Sequence, residues 1–220
     1  MIAGLADRLA AVRQRLPEGV RLLAVSKGQP VEAIRQAVAL GQRSFGESRL
    51  QEALAKQEQL ADLPPLDWHF IGRLQANKAR GVLRAFGTIH SLDSLPLAER
   101  LQRIAAEEGL SPAVFAQVKL RLDPTKTGFS ADELVALRLR LGEMAPLRLV
   151  GLMTIAPLGL AVAERLMLYR EAADLARALA LPQLSMGMSD DWPEAVAAGA
   201  TWVRLGSGLF GARQPLPPST

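Results

Sequence analysis

Residues 199–213 read GATWVRLGSGLFGAR: a short apolar strand pattern over 201–207 runs into glycines and a serine, where a short helix can begin. Aromatic and β-branched residues favour an extended chain, and glycines permit the tight turn that follows. The same order of strand, small polar turn and helix recurs along the whole chain. The other strand patterns are RLLAVS (21–26), RSFGES (43–48), DWHFIG (67–72), GTIHSL (87–92), AVFAQVKL (113–120), LRLVGLMTI (147–155) and PQLSMGM (182–188). Eight strand and helix units in 220 residues fit a closed (β/α)8 barrel, the TIM barrel of the α/β class, better than an open doubly wound sheet. The first sixteen residues, MIAGLADRLAAVRQRL, repeat apolar positions at helical spacing and add an extra N-terminal helix. The expected organisation is one barrel domain over 1–212 followed by a disordered, proline-rich tail, RQPLPPST, over 213–220.

Several helices announce their ends. SADE at Ser130 and DWPE at Asp191 each place a capping side chain three residues before a glutamate, so a capping box is expected at both starts. The segment 161–180 keeps Leu166, Tyr169, Ala173 and Ala176 on one face, and Gly199 is expected to close a helix at positive φ.

Composition bounds the function. The chain is 49% hydrophobic and 22% charged, enough for one sizeable core held by packing alone, because it has no cysteine for disulfides or thiolate metal sites. The formal charge of +4 comes from 26 Lys and Arg scattered among 22 Asp and Glu, with only 5% aromatics. A nucleic-acid protein more often concentrates its cations and interleaves aromatics, so anionic small molecules are the better partners. No apolar run reaches the length of a membrane span, and the first residues lack the apolar block of a signal peptide. A cytoplasmic monomer is expected, with no nucleic-acid or membrane partner.

In a barrel of this type, chemistry gathers where strands end. The last strand ends in Gly206 and Ser207, small residues that let backbone N–H groups approach an anion. Ser185 and the GMS turn lie next door. Arg204 sits inside an otherwise apolar strand and needs a partner there, either a core carboxylate or carbonyl, or a ligand beside the anion seat. Lys27 follows the first strand, which neighbours the eighth once the barrel closes; it is either a solvated charge or a nucleophile at a pocket mouth. An amine, an anion seat and a cation match the aldehyde, phosphate and pyridine nitrogen of pyridoxal 5′-phosphate.

The motifs LLAVSKGQP, FGESRLQEA, WHFIGRLQANK, IHSLDS, GLMTIAP, LSMGMSDDW and GATWVRLGSGLFGAR resemble, in order and nearly end to end, those of the pyridoxal 5′-phosphate homeostasis proteins. That resemblance implies a single barrel like the amino-terminal domain of alanine racemase, fold type III among proteins using this cofactor. It implies that the cofactor is held as an internal aldimine on Lys27, that Arg204 faces the pyridine nitrogen, and that Ser185, Gly206 and Ser207 hold the phosphate. It also implies a role in keeping the free cofactor level, buffering or delivering vitamin B6 without firmly established turnover. Two positions depart from the family pattern: Ser48 stands where an asparagine is common, and Arg73 where a proline is common.

The residues bear on turnover as well. A permanently protonated arginine disfavours protonation of the pyridine nitrogen, so the ring is a poor electron sink and transamination is disfavoured. Racemisation wants a proton donor on each face. Lys27 could serve one; Tyr169, the only tyrosine, reads as a packing residue, and His69 and His90 read as strand histidines, His90 being the better candidate base. The expected activity is therefore a carrier that exchanges cofactor with amines, amino acids or apo-enzymes. A low-efficiency amino-acid racemase is the alternative, and a Schiff-base aldolase for sugar phosphates is a third reading. Lys78 and Lys126 are either surface lysines or a second, transient cofactor position.

Overall fold

Eight parallel strands close on themselves in chain order, each hydrogen-bonded to the next and the eighth to the first. The structure, a computed structural model, describes residues 4–121 and 127–211. The strands are β1 Arg21–Val25, β2 Ser44–Glu47, β3 Asp67–Phe70, β4 Thr88–Leu92, β5 Ala113–Gln117, β6 Arg148–Met153, β7 Gln183–Ser185 and β8 Trp202–Leu205. Around them run α2 Val31–Ala39, α3 Leu50–Gln59, α4 Ala79–Ala85, α5 Leu95–Glu108, α6 Ala131–Gly142, α7 Val162–Ala178, α8 Trp192–Ala197 and the short α9 Ser207–Phe210. The extra first helix, α1 Leu5–Arg15, buries Leu5 and Leu9 and uses the Arg8 guanidinium to donate to the Leu209 carbonyl at 2.6 Å. The single TIM barrel of the α/β class with its added N-terminal helix is as the sequence pattern predicts. The proposed tail over 213–220 and Lys126 lie outside the described residues.

Alternation along the strands builds two cores. Leu22 and Ala24 face outward into the large core shared with the helices, together with Val203 and Leu205 from β8. Leu23, Phe115, Met153 and Trp202 face inward and form a separate cluster within the barrel. Gly46 faces inward as well, where an added Cβ would meet Leu23 and Ile71 side chains at 3.2 and 3.3 Å.

The strand patterns outrun the strands furthest at two places. β5 stops at Gln117 because the chain then bridges to Phe129, whose N–H donates to the Gln117 carbonyl at 2.9 Å. β7 stops at Ser185 because Gly187, at φ 87°, turns the chain. A Cβ at Gly187 would lie 2.6 Å from Ala195 Cβ, so only glycine fits both the angle and the space.

Of the two expected capping boxes, one forms. Ser130 Oγ accepts from Glu133 N–H at 3.1 Å, and Glu133 Oε2 accepts from Ser130 N–H at 2.7 Å. At Asp191 it does not: the carboxylate accepts instead from the Met188 N–H at 2.5 Å and the Tyr169 hydroxyl at 2.7 Å. Glu194 is drawn away to Arg165. The buried face of α7 is also turned from the expected one, carrying Leu168, Tyr169, Ala172 and Ala176, with Leu166 and Ala173 only half-buried at its flank. Gly199 closes α8 at φ 97° as expected.

Candidate functional site

The rim at the carboxyl ends of β1 and β8 carries the cationic candidates. Arg204 lies opposite Leu23 in the β1–β8 register and is 5% exposed. Its guanidinium donates to Ser185 Oγ at 2.7 Å and to the Thr154 carbonyl at 2.9 Å. Burial pulls its pKa down to about 10, against the attraction of Tyr169 and Asp191, so it stays cationic at neutral pH. Among the described residues no carboxylate touches it. A buried cation held only by a hydroxyl and a carbonyl retains an unmet demand for electron density.

Two residues beyond Arg204, Gly206 packs against Val25 of β1, where a Cβ would sit 3.5 Å from the Val25 carbonyl oxygen. Gly206 and Ser207 open α9 at that point. The hydroxyl that reaches this turn belongs to Ser189, which accepts from the Gly208 N–H at 3.0 Å. Ser185 instead turns into the barrel, fully buried between Arg204 and His90. Asp191 clamps the 187–191 loop from within, bridging its own backbone to Tyr169 on α7. Burial, then the neighbouring Asp191 carboxylate, push the Tyr169 phenol far above its ordinary value. The tyrosine is thus a neutral packing and clamping residue, as the sequence predicts of its packing.

Lys27 occupies the turn that follows β1. The Gln29 N–H closes that turn onto the Ser26 carbonyl at 2.9 Å, and Gly28 takes φ 70°, the left-handed angle such turns favour. Lys27 is half-buried. Beneath it lies a cluster that sequence reasoning missed. Lys56 of α3 donates to the Ser26 carbonyl at 2.8 Å, Glu47 Oε1 at 2.8 Å and Glu52 Oε1 at 2.6 Å. Ser26 Oγ also donates to Glu47 Oε1 at 2.7 Å, and Gly28 N–H to Glu52 at 2.5 Å. Burial raises the pKa of Glu47 against the pull of Lys56. Glu52 is lowered despite its burial, because Lys56 and the Gly28 N–H stabilise its charge. The sequence signal was present, since Lys56 and Glu52 stand four apart on a helix, but such a pair usually marks a solvated face.

The two histidines lie inside the barrel. His69 Nδ1 and His90 Nε2 are 2.8 Å apart, and His90 stacks on Phe115 with ring centroids 4.4 Å apart. Neither belongs to the rim. Lys78 does border a rim cavity of about 220 Å³, together with Ser48, Arg49 and Arg73.

A closed parallel barrel whose eighth strand ends in a buried cation and a glycine turn, beside a lysine at the end of the first, defines a class. The family model described as alanine racemase, N-terminal domain, matches residues 2–214. A pyridoxal phosphate homeostasis protein of Synechocystis sp. is 48% identical over 204 residues, covering 90% of this chain and 94% of that one. A protein of the same name from Pseudomonas aeruginosa is 45% identical over 230 residues, covering 100% and 97%. The structure of PipY from Synechococcus elongatus with pyridoxal phosphate bound superposes with a TM-score of 0.91 at 51% identity, covering 94% of this chain and 100% of PipY. The chain belongs to the pyridoxal phosphate homeostasis protein family.

Proposed function

We propose that this protein binds pyridoxal 5′-phosphate covalently through Lys27 and contributes to pyridoxal phosphate homeostasis by holding the cofactor and releasing it to amines, amino acids or apo-enzymes. The observation that carries the reading is Arg204: a buried guanidinium at the rim, supported by neutral acceptors only, fits an aromatic nitrogen with a lone pair. Bound there, the cofactor supplies an aldehyde to the Lys27 amine. Arg204 donates toward the ring nitrogen, and Gly206 and Ser207 seat the phosphate. Ser185 serves this arrangement by fixing Arg204, and the Ser189 hydroxyl stands nearer the phosphate turn.

The racemase alternative draws little support from the rim. Racemisation needs a second acid opposite the lysine. Tyr169 is committed to Asp191, and both histidines are committed to each other inside the barrel. Among the described residues no helix is long and apolar enough to cross a membrane. The reading includes a monomer working in the cytoplasm.

The test loads the protein with pyridoxal phosphate, reduces it with borohydride and maps the modified lysine by mass spectrometry. The expected result is a visible absorbance band and one reduced adduct at Lys27, both lost in Lys27→Ala. A band that survives in that variant overturns the assignment.

A further inference from the structure

A line of side chains crosses the barrel interior from one end to the other. Asp67, the first residue of β3, lies at the amino-terminal face with its side chain 48% exposed. Its Oδ2 is 2.6 Å from His69 Nε2; His69 Nδ1 is 2.8 Å from His90 Nε2; His90 Nδ1 is 2.8 Å from Ser185 Oγ; and Ser185 Oγ is 2.7 Å from the Arg204 guanidinium. His69, His90 and Ser185 are all buried.

The two ends fix the direction of every hydrogen bond. A guanidinium only donates and a carboxylate only accepts, whereas a hydroxyl or a neutral imidazole does both. With both histidines neutral, one arrangement satisfies all the contacts. Arg204 donates to Ser185, Ser185 donates to His90 Nδ1, His90 Nε2–H donates to His69 Nδ1, and His69 Nε2–H donates to Asp67. One added proton, taken up at the Ser185 oxygen as Ser185 passes its hydrogen to His90 Nδ1 and His90 passes its Nε2 hydrogen to His69 Nδ1, reverses the middle and leaves the charge beside Asp67. His69 then donates from both nitrogens, His90 must accept at Nε2 and carry its hydrogen on Nδ1, and Ser185 accepts from both sides. The Ser185 hydroxyl hydrogen is released to point elsewhere.

We propose that Asp67, His69 and His90 form a tautomer relay through the barrel, which couples a positive charge held beside Asp67 at the amino-terminal face to the Ser185 hydroxyl beside Arg204. They are positioning residues. The coupling to cofactor rests on the reading of Arg204 given above; the relay itself does not.

The surroundings agree with a charge that stays at the Asp67 end. Burial, followed by the charges of His69, Arg204 and Arg21, holds the His90 pKa well below its ordinary value, so His90 relays without becoming charged. The Asp67 carboxyl lies below its ordinary value although burial opposes this, because His69, Ser44 and Arg21 stabilise its charge. From β1, Arg21 stacks over the Trp202 ring at 4.1 Å and donates to Gln183. From β2, Ser44 donates to Asp67 at 3.0 Å. Phe115 on β5 and Trp202 on β8 cover the two imidazoles with aromatic surface. The charged and titratable groups are therefore Asp67 and His90 against His69, and His69, Arg204 and Arg21 against His90.

The chain has two histidines, both in the relay, so 15N-histidine NMR reads the relay rings and no others. The empty protein near neutral pH is expected to show both rings neutral with the hydrogen on Nε2. Acidification is expected to give one imidazolium together with a switch of the other ring to Nδ1–H. Asp67→Asn removes the charge that stabilises the added proton and should move the switch down by about one pH unit, a tenfold loss in proton affinity. Loading with pyridoxal phosphate gives the freed hydroxyl a new neighbour and is expected to raise the switch midpoint. A neutral-pH ring with its hydrogen on Nδ1, or two rings that titrate independently and ignore Asp67→Asn, overturns the relay. If cofactor loads and the imidazole signals do not move, the coupling is overturned. If no cofactor loads, the seat reading fails while the signals of the empty protein still decide the relay.

Discussion

Arg204 shows what one side chain can be asked to do. Its two hydrogen bonds leave from a planar fork, one to β7 and one to the carbonyl of Thr154 just past β6. Lysine keeps the charge but cannot reproduce that fork. Arg204→Lys is therefore expected to fold, to lose about 1–3 kcal/mol of stability through unmet buried acceptors, and to weaken pyridoxal phosphate binding at least about tenfold. Denaturant midpoints and an absorbance titration measure the two losses; unchanged affinity would remove Arg204 from the seat. The sequence marks Arg204 as a cation in an apolar strand, but its partners stand 19 and 50 residues away. Ser185 and Ser189 look equivalent in LSMGMSDDW; only the end of β7 at one and the glycine turn before the other send them to opposite tasks.

At the scale of an element, the loop after β7 is built by tension between a helix start and a core. Asp191 begins α8 and would ordinarily cap it, yet its carboxylate is spent on Met188 N–H and on Tyr169 from the neighbouring α7. No local rule foresees this, because a capping box is judged within four residues and the competitor lies on another helix. Tyr169→Phe keeps the ring and deletes the hydroxyl. It leaves a buried carboxylate oxygen unpaired and is expected to cost about 1–3 kcal/mol. Because the same loop places Ser189 against Gly208, the variant should also loosen phosphate retention, visible as faster loss of pyridoxal phosphate on gel filtration. Equal retention by parent and variant would show that the clamp is structural alone. The α3 cluster under Lys27 was equally hidden: the spacing of Glu52 and Lys56 is legible, but only the packing of α3 beneath the Ser26 carbonyl turns a surface pair into a buried one.

For the whole molecule, the barrel itself was legible because each strand carries its own local signature and closure in chain order needs no long-range information beyond the count. What fills the barrel was not. Inward residues of separate strands become neighbours only once register is set, so the junction of His69, His90 and Ser185 depends on β3, β4 and β7 together. Register also closes the circle between the ends of the fold. Arg8 on α1 holds the Leu209 carbonyl of α9, the helix that opens at Gly206. An anion at the proposed seat is expected to stiffen α9, and Arg8 gives that stiffness a handle on α1. Amide hydrogen–deuterium exchange in α1 should therefore slow when pyridoxal phosphate is added, and Arg8→Ala should abolish that distant protection while leaving the exchange of β4 and β5 untouched. The first helix would then be a latch, reporting at one end of the polypeptide whether the other end is carrying its load.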